Sequence, residues 1–297
     1  MVTKGKSSSE HAELIQYLFI TISNKLSEMQ LTTIPITTVS TPDIGSLSFF
    51  EAERDIPFPI KRFYYIHGAP KNTQRGAHAH KALRQFLFCP YGSIKLLMDD
   101  GRNKETFILD NPAVGIIVDP LMWHDMVWLE ENSVLCVAAS DYYNEADYLR
   151  DYDEFIKYLN ESVHSTAQHS TDAIIHHYNN IFHSYISEVD VHFPIKRIYY
   201  IYGVPENTQR GAHAHKALKQ ILFCPYGYVK ILLDDGKKKS EILLDNPTKS
   251  LVLTPCVWRD MIWMQENSVL CVVVSDYYDE DDYIRDYQQF IQYINKP

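Results

Sequence analysis

Two histidines one residue apart, His78 and His80, stand in the stretch TQRGAHAHKAL at Thr73–Leu83. The same letters recur at Thr208–Leu218, bringing His213 and His215. Imidazole titrates near neutrality and also ligates metals, so such a pair can move protons or hold an ion. Either use requires extended backbone, because alternate residues of a strand share a face and place their α-carbons roughly 6 to 7 Å apart. The continuation ALRQFLFCPY, Ala82–Tyr91, is an apolar run closed by Pro90-Tyr91-Gly92, the pattern of a strand entering a turn. A lone histidine is usually an idle surface or core residue. A pair flanked by Arg75 and Gly76 and spelled twice points to function.

A divalent ion needs three or four converging nitrogen and oxygen donors. In a cupin barrel the H-x-H pair is joined by a Glu four or five positions later and by a third His on a later strand. Here those positions hold Arg84 and Gln85, and in the second copy Lys219 and Gln220. The late strand supplies His124 in PLMWHDM but Arg259 in PCVWRDM, and a guanidinium that never deprotonates cannot ligate a metal. No metal and no cofactor are therefore expected. Acid–base chemistry remains: one imidazole accepts a proton while a neighbour donates one, as isomerisation next to a carbonyl demands. Arg62 and Arg75, with Arg197 and Arg210 in the second copy, lie on or beside the same strands and can grip a diphosphate. Tyr64 and Tyr199 accompany them, and His124 and Arg259 complete the binding set.

The elements that must carry these residues come from a repeat. Shifted by 135 residues, the chain falls on itself without a gap: FPIKRFYYI at Phe58 meets FPIKRIYYI at Phe193, and ENSVLCV at Glu131 meets ENSVLCV at Glu266. SDYYNEADYLRDY at Ser140 likewise meets SDYYDEDDYIRDY at Ser275, the mark of a duplicated domain. Each copy has short apolar runs cut by PYG, DDG and DNP, with a helical period only near its end, which predicts an all-β barrel closed by one C-terminal helix. The expected organisation is an N-terminal helical extension over 1–30, domain 1 over 31–160, a polar linker over 161–177 and domain 2 over 178–297. An amphipathic period over Ser7–Leu26 carries the extension. The stretch before each FPIKR matches poorly: TPDIGSLSFFEAERDI faces HHYNNIFHSYISEVDV, with Gly45 against Asn180.

The net charge of −10 argues against nonspecific nucleic-acid or membrane binding, so an anionic ligand must be held by a few local arginines. No span approaches the eighteen or so apolar residues of a transmembrane helix. The five cysteines, Cys89, Cys136, Cys224, Cys256 and Cys271, sit in apolar runs without C-x-x-C spacing, as thiols in a reducing compartment do. A cytoplasmic protein without disulfides is expected.

RGAHAHKAL, PYG, LLMDDG, DNP, PLMWHDM and SDYYNEADYLRDYDEF together resemble the dTDP-4-dehydro-6-deoxyglucose 3,4-ketoisomerases, WxcM-like cupins of deoxysugar biosynthesis. The resemblance runs from about Thr41 to Leu159 and again from about His176 to Ile294. It implies two tandem cupin domains, each a double-stranded β-helix, with catalytic His78, His80, His213 and His215. It also implies arginines on the nucleotide diphosphate, no metal, and a dTDP-linked 4-keto-6-deoxysugar converted to its 3-keto isomer. Members of that family are homodimers that exchange their first strands, so this chain reads as an intramolecular pseudo-dimer, with further self-association open. A metal-dependent bicupin oxygenase or decarboxylase and a non-catalytic sugar-nucleotide sensor are the rivals, and epimerisation with a Tyr acid (Tyr64, Tyr65, Tyr142, Tyr143) is the enzymatic variant. The resemblance also suggests that the position of His124 and Arg259, with a hairpin residue near Ile44 or Asn179, chooses the face of C4 that is protonated. Unequal sites follow, and the retained DIGSLSFFE pattern assigns activity to domain 1.

Overall fold

The computed structural model describes residues 29, 31–162, 182–186 and 191–296, with 162 and 182–186 described by backbone alone. The helix expected over Ser7–Leu26 and most of the 161–177 linker lie outside the described residues. The described residues are mostly β, with four sheets and two α-helices, Tyr152–Ser162 and Tyr287–Ile294. The first helix runs two residues past 160, the expected end of domain 1. No described helix is long and apolar enough to cross a membrane.

In the first repeat a five-stranded sheet runs in the order Tyr148–Leu149, Gln74–His80, Trp123–Trp128, Ile94–Asp99, Lys104–Leu109. It faces a six-stranded sheet built on Gln85–Tyr91, Val134–Ala139 and Arg62–Ile66, and the second repeat repeats the arrangement. The six-stranded sheets explain the unbroken apolar runs. In QFLFC, Leu87 and Cys89 face the first repeat's own core, whereas Phe86 and Phe88 face a cluster shared with the second repeat. Both faces of these strands are buried, so polar alternation disappears. The shared cluster is aromatic and two-fold in character: Tyr65 stacks on Phe223 at 4.6 Å and Phe88 on Tyr200 at 4.9 Å. Tyr65 also donates its hydroxyl to the Pro247 carbonyl, and Tyr200 donates to that of Pro112.

The repeats also trade strands. Gly45–Glu51 pairs with Arg197–Tyr202 of the second repeat, Ser46 opposite Tyr202 and Glu51 opposite Arg197. In return Phe182–Ile186 pairs with Arg62–Ile66, Phe182 opposite Ile66 and Ile186 opposite Arg62. Thr32–Pro35 stays on the first repeat's sheet, so the chain changes sheets at Ile36, which is buried in the shared cluster. The hairpin carrying DIGSLSFFE therefore serves the second repeat. Linking activity to the first repeat through that hairpin fails, because strand pairing takes it across the interface.

Each C-terminal helix closes one end of its five-stranded sheet. Asp151 accepts a hydrogen bond from the Glu154 backbone N–H at 2.9 Å and Asp286 from that of Gln289 at 2.8 Å, which fixes where the helices begin. Their apolar faces bury Phe155 and Phe290, against Trp123 and Trp258.

Candidate active site

His78 and His80 end the strand Gln74–His80, and His213 and His215 end Gln209–His215. Just before each pair the strand bulges: Gly76 has φ 106° and Ala77 φ 53°, and Gly211 and Ala212 repeat the pattern at 116° and 51°. In the first repeat the bulge skips Ala77, so that His78 pairs opposite His124 and Gly76 opposite Asp125. A Cβ on Gly76 would lie 2.6 Å from the His124 carbonyl oxygen, and one on Gly211 2.8 Å from that of Arg259, so glycine lets the two strands close at this point. Left-handed backbone at a non-glycine residue beside reactive groups is the kind of strain that active sites retain.

The rings come together as the spacing predicts. In the first site the His78 and His80 centroids are 5.0 Å apart and His78 and His124 4.5 Å apart; in the second His213 and His215 are 5.2 Å apart. Sequence reasoning missed three residues per site, all on the segment after SDYY. His80 Nδ1 lies 2.9 Å from Asp147 and His215 Nδ1 2.7 Å from Asp282. Tyr148 and Tyr283 pack against both imidazoles of their sites, 4.3 Å from His80 and from His215. Arg150 and Arg285 lie over those tyrosine rings and make two-pronged contacts with Glu145 and Glu280. The identical letters of NEADYLRDY and DEDDYIRDY were the available signal; one folded edge strand was needed to show that they face the histidines.

The hydrogen bonds assign the imidazole protons. A carboxylate can only accept, so His80 and His215 carry their proton on Nδ1 and leave Nε2 as an acceptor, buried and without a partner in both sites. His213 Nδ1 donates to the Gly211 carbonyl at 3.0 Å, which again leaves Nε2 bare. Burial, then the neighbouring His124 and His80, lowers His78 to about 2. Burial, then Arg259, lowers His213 to about 2, and burial holds His124 at about 4. His80 is lowered as well, burial outweighing the opposing pull of Asp147. All are neutral at pH 7 and able to accept a proton. An anion or a developing negative charge placed beside them raises their basicity.

These shifts have a consequence for stability. Where a folded imidazole titrates below its unfolded value of 6.5, the unfolded chain binds more protons in the window between the two, so stability is full above that window and is lost as pH falls into it. At pH 5.5 His78 and His213 should each cost about 1 kcal/mol. We expect the melting temperature to drop between pH 7.5 and 5.5, and the drop to shrink in the His78→Asn, His213→Asn double variant. Identical slopes for variant and wild type would remove this account.

The positions where a carboxylate ligand would sit do something else. Gln85 donates from Nε2 to the Tyr64 hydroxyl at 2.8 Å, and Gln220 to that of Tyr199 at 3.1 Å. Among the described residues no group of three or more His, Cys, Asp or Glu is arranged to hold a metal ion. Burial raises the Tyr64 phenol far above its ordinary value, so it stays protonated.

The predicted arginines divide by role. Arg62 and Arg197 are buried, 3% exposed each, with Nε unpartnered and the guanidinium over Tyr64 and over Tyr199. Arg197 and Arg210 line a cavity of about 490 Å³ together with His213, Tyr199, Tyr283 and Arg285, and the first repeat contributes Val39, Leu47 and Phe49 to its wall. Arg210 also donates to the Ile44 carbonyl at the tip of the exchanged hairpin, 2.6 Å away. Arg75 keeps one buried terminal nitrogen without a partner. Arg259 does not reach the cavity wall: it is 1% exposed and stands behind the histidines, Nη1 3.5 Å from the His213 carbonyl oxygen. Four of the five cysteines are buried free thiols and Cys256 is partly buried.

A family model described as FdtA, WxcM-like, C-terminal matches the chain twice, over residues 27–160 and 168–295. A TDP-4-oxo-6-deoxy-alpha-D-glucose-3,4-oxoisomerase of Aneurinibacillus thermoaerophilus is 48% identical over 115 residues, which is 39% of this chain and 83% of the relative. Among solved structures, a 3,4-ketoisomerase from Helicobacter canadensis is 40% identical with a TM-score of 0.43, covering 45% of this chain and 99% of its own. The sugar 3,4-ketoisomerase QdtA from Thermoanaerobacterium thermosaccharolyticum, solved with TDP, is 38% identical with a TM-score of 0.43, covering 44% and 96%. With one family match on each repeat and a closely similar curated relative, the chain belongs to the WxcM-like, C-terminal family, in two copies.

Proposed function

We propose that this protein is a 3,4-ketoisomerase acting on a TDP-linked 4-keto-6-deoxyhexose, with both repeats contributing to its sites. The observation that carries the reading is the meeting of neutral imidazoles, His80 and His215 each with a buried, unpartnered Nε2, with a buried arginine that has no carboxylate partner among the described residues. A buried guanidinium without a counter-anion is costly, and a diphosphate supplies the missing charge. In this reading Arg197 and Arg210, and in the first site Arg62 and Arg75, hold the diphosphate.

The reaction moves one hydrogen from C3 to C4 and one from the C3 oxygen to the C4 oxygen. His213, or His78 in the first site, takes the C3 proton that the adjacent carbonyl acidifies, and the resulting enediol receives it back at C4. His215, held by Asp282, exchanges protons with the two sugar oxygens, and in the first site His80, held by Asp147, does the same. The Tyr199 and Tyr64 hydroxyls and the buried arginines offer hydrogen bonds and charge to the enediolate oxygen. Arg259 acts from behind the imidazoles, and His124 in the same place presents a neutral ring, so the two sites differ near the sugar.

The repeats are read as two cupin domains, 31–160 and 178–297, joined into an intramolecular pseudo-dimer whose exchanged strands support that description. Covalent fusion makes the partner's effective concentration independent of protein concentration. A cytoplasmic setting fits the free buried thiols. The test is to incubate the protein with TDP-4-keto-6-deoxyglucose and follow the sugar by NMR: the keto carbon should move from C4 to C3. Binding without turnover would favour a sensor, and epimerisation without keto migration would favour the epimerase variant.

A further inference from the structure

The segment Ser275–Asp282 forms much of one side of the second site. Tyr278 and Tyr283 line the cavity that contains His213, and both also line a neighbouring cavity of about 340 Å³ that contains His215. These tyrosines, with Arg197, form the partition between the two spaces. The partition is anchored from the other repeat. Glu51, at the end of the exchanged strand and 7% exposed, accepts a hydrogen bond from the Tyr278 backbone N–H at 2.6 Å. The same carboxylate accepts from Arg54 Nη1 at 2.9 Å, and the Arg54 guanidinium lies over the Tyr277 ring, 3.6 Å from its centroid.

The anchor is itself rigid. The Glu51 backbone N–H donates to the Asp55 carboxylate at 2.8 Å, and the Asp55 N–H donates back to the Glu51 carbonyl at 3.0 Å. Glu53, from the same corner, reaches Lys196 at 3.3 Å and the Tyr277 hydroxyl at 3.5 Å. Two successive loop residues, Tyr277 and Tyr278, are therefore held by side chains from the opposite half of the molecule.

We infer that Glu51 is a positioning residue for the second site, acting in trans from the first repeat by fixing the Tyr278 backbone and, through Arg54, the Tyr277 ring. The residues at the aligned positions of the reciprocal exchange are of a different type. At the corresponding register of the reciprocal exchange Ile186 stands opposite Arg62, as Glu51 stands opposite Arg197, and isoleucine has no oxygen to accept a hydrogen bond. Val189 occupies the repeat position of Arg54 and carries no charge.

This inference rests on the ketoisomerase reading, and site-resolved kinetics separate the two. The His78→Asn enzyme reports on the second site and the His213→Asn enzyme on the first. Glu51→Ile, which installs the residue found at the other register, should lower kcat/KM of the His78→Asn enzyme about tenfold, and that of the His213→Asn enzyme by less than about twofold. Glu51→Gln keeps an oxygen for the Tyr278 N–H and loses the ion pair with Arg54, so it should retain activity within about threefold, with Arg54→Ala falling between the two. Melting temperatures should fall equally in both backgrounds, which a purely structural role would not separate but the kinetics do. Equal kinetic losses in the two backgrounds, or no turnover at all in His78→Asn, would overturn the inference. Full activity in a His78→Asn, His213→Asn enzyme would instead overturn the ketoisomerase assignment of the histidines.

Discussion

Replacing His78 and His213 together by asparagine should remove turnover by about three orders of magnitude while leaving TDP affinity within about threefold. Asparagine keeps a polar group of similar size near each cavity but has no basic nitrogen, so it cannot take a proton from carbon. The diphosphate contacts assigned to Arg62, Arg75, Arg197 and Arg210 are untouched. The two quantities therefore separate cleanly: kcat falls and nucleotide binding stays. Calorimetric titration with TDP and NMR assay of the sugar measure both in one preparation. In D2O the wild type should place deuterium at the protonated carbon wherever the imidazolium exchanges before it returns its proton. Substantial activity in the double variant would make these histidines structural.

The next largest effect is expected from Asp147→Asn combined with Asp282→Asn, isosteric changes that remove only charge and acceptor symmetry. In the second site Asp282 accepts from the Ala217 backbone N–H at 2.7 Å with one oxygen and from His215 Nδ1 at 2.7 Å with the other. Asp147 does the same for Ala82, at 2.8 Å, and His80, at 2.9 Å. Asparagine has a single oxygen, and the backbone N–H claims it. The amide nitrogen must then face the imidazole and donate to Nδ1, which moves the ring proton to Nε2 and turns the acceptor facing the site into a donor. The geometry stays and the tautomer is wrong, so kcat should fall about a hundredfold or more with little change in TDP binding. Nitrogen NMR of labelled histidine reads the tautomer directly. A double variant within a fewfold of wild-type kcat would show that His80 and His215 do not depend on these carboxylates.

The exchanged hairpin changes where activity is sought. Read along the chain, DIGSLSFFE belongs to the first repeat and recommends its site. Folded, the same residues place Leu47 and Phe49 on the wall of the second site and set Glu51 against its loop. Sequence proximity assigned the hairpin to the wrong histidines because backbone pairing, which no side-chain pattern encodes, carries it across.

Much of the site was nevertheless legible in the letters. The H-x-H spacing on a strand, the lack of a carboxylate at Gln85 and Gln220, and the exchange of His124 for Arg259 all follow from residue type and the two-residue period of extended chain. The duplication follows from identity at a fixed shift, and the turns at PYG and DDG from glycine and proline chemistry. The sheets' apolar runs were readable too, though not the reason they fail to alternate, which is that Phe86 and Phe88 are buried by the other repeat. Tertiary structure alone decided the rest. It brought Asp147 and Asp282, distant in sequence, onto the histidines through a two-residue edge strand. It set Arg259 behind the imidazoles rather than in the cavity, and gave Glu51 to the opposite half of the molecule. Local sequence determines which groups a strand presents, because side-chain direction has a fixed period. Which groups meet depends on pairings between segments far apart in the chain, and their register is settled by the burial of whole sheets.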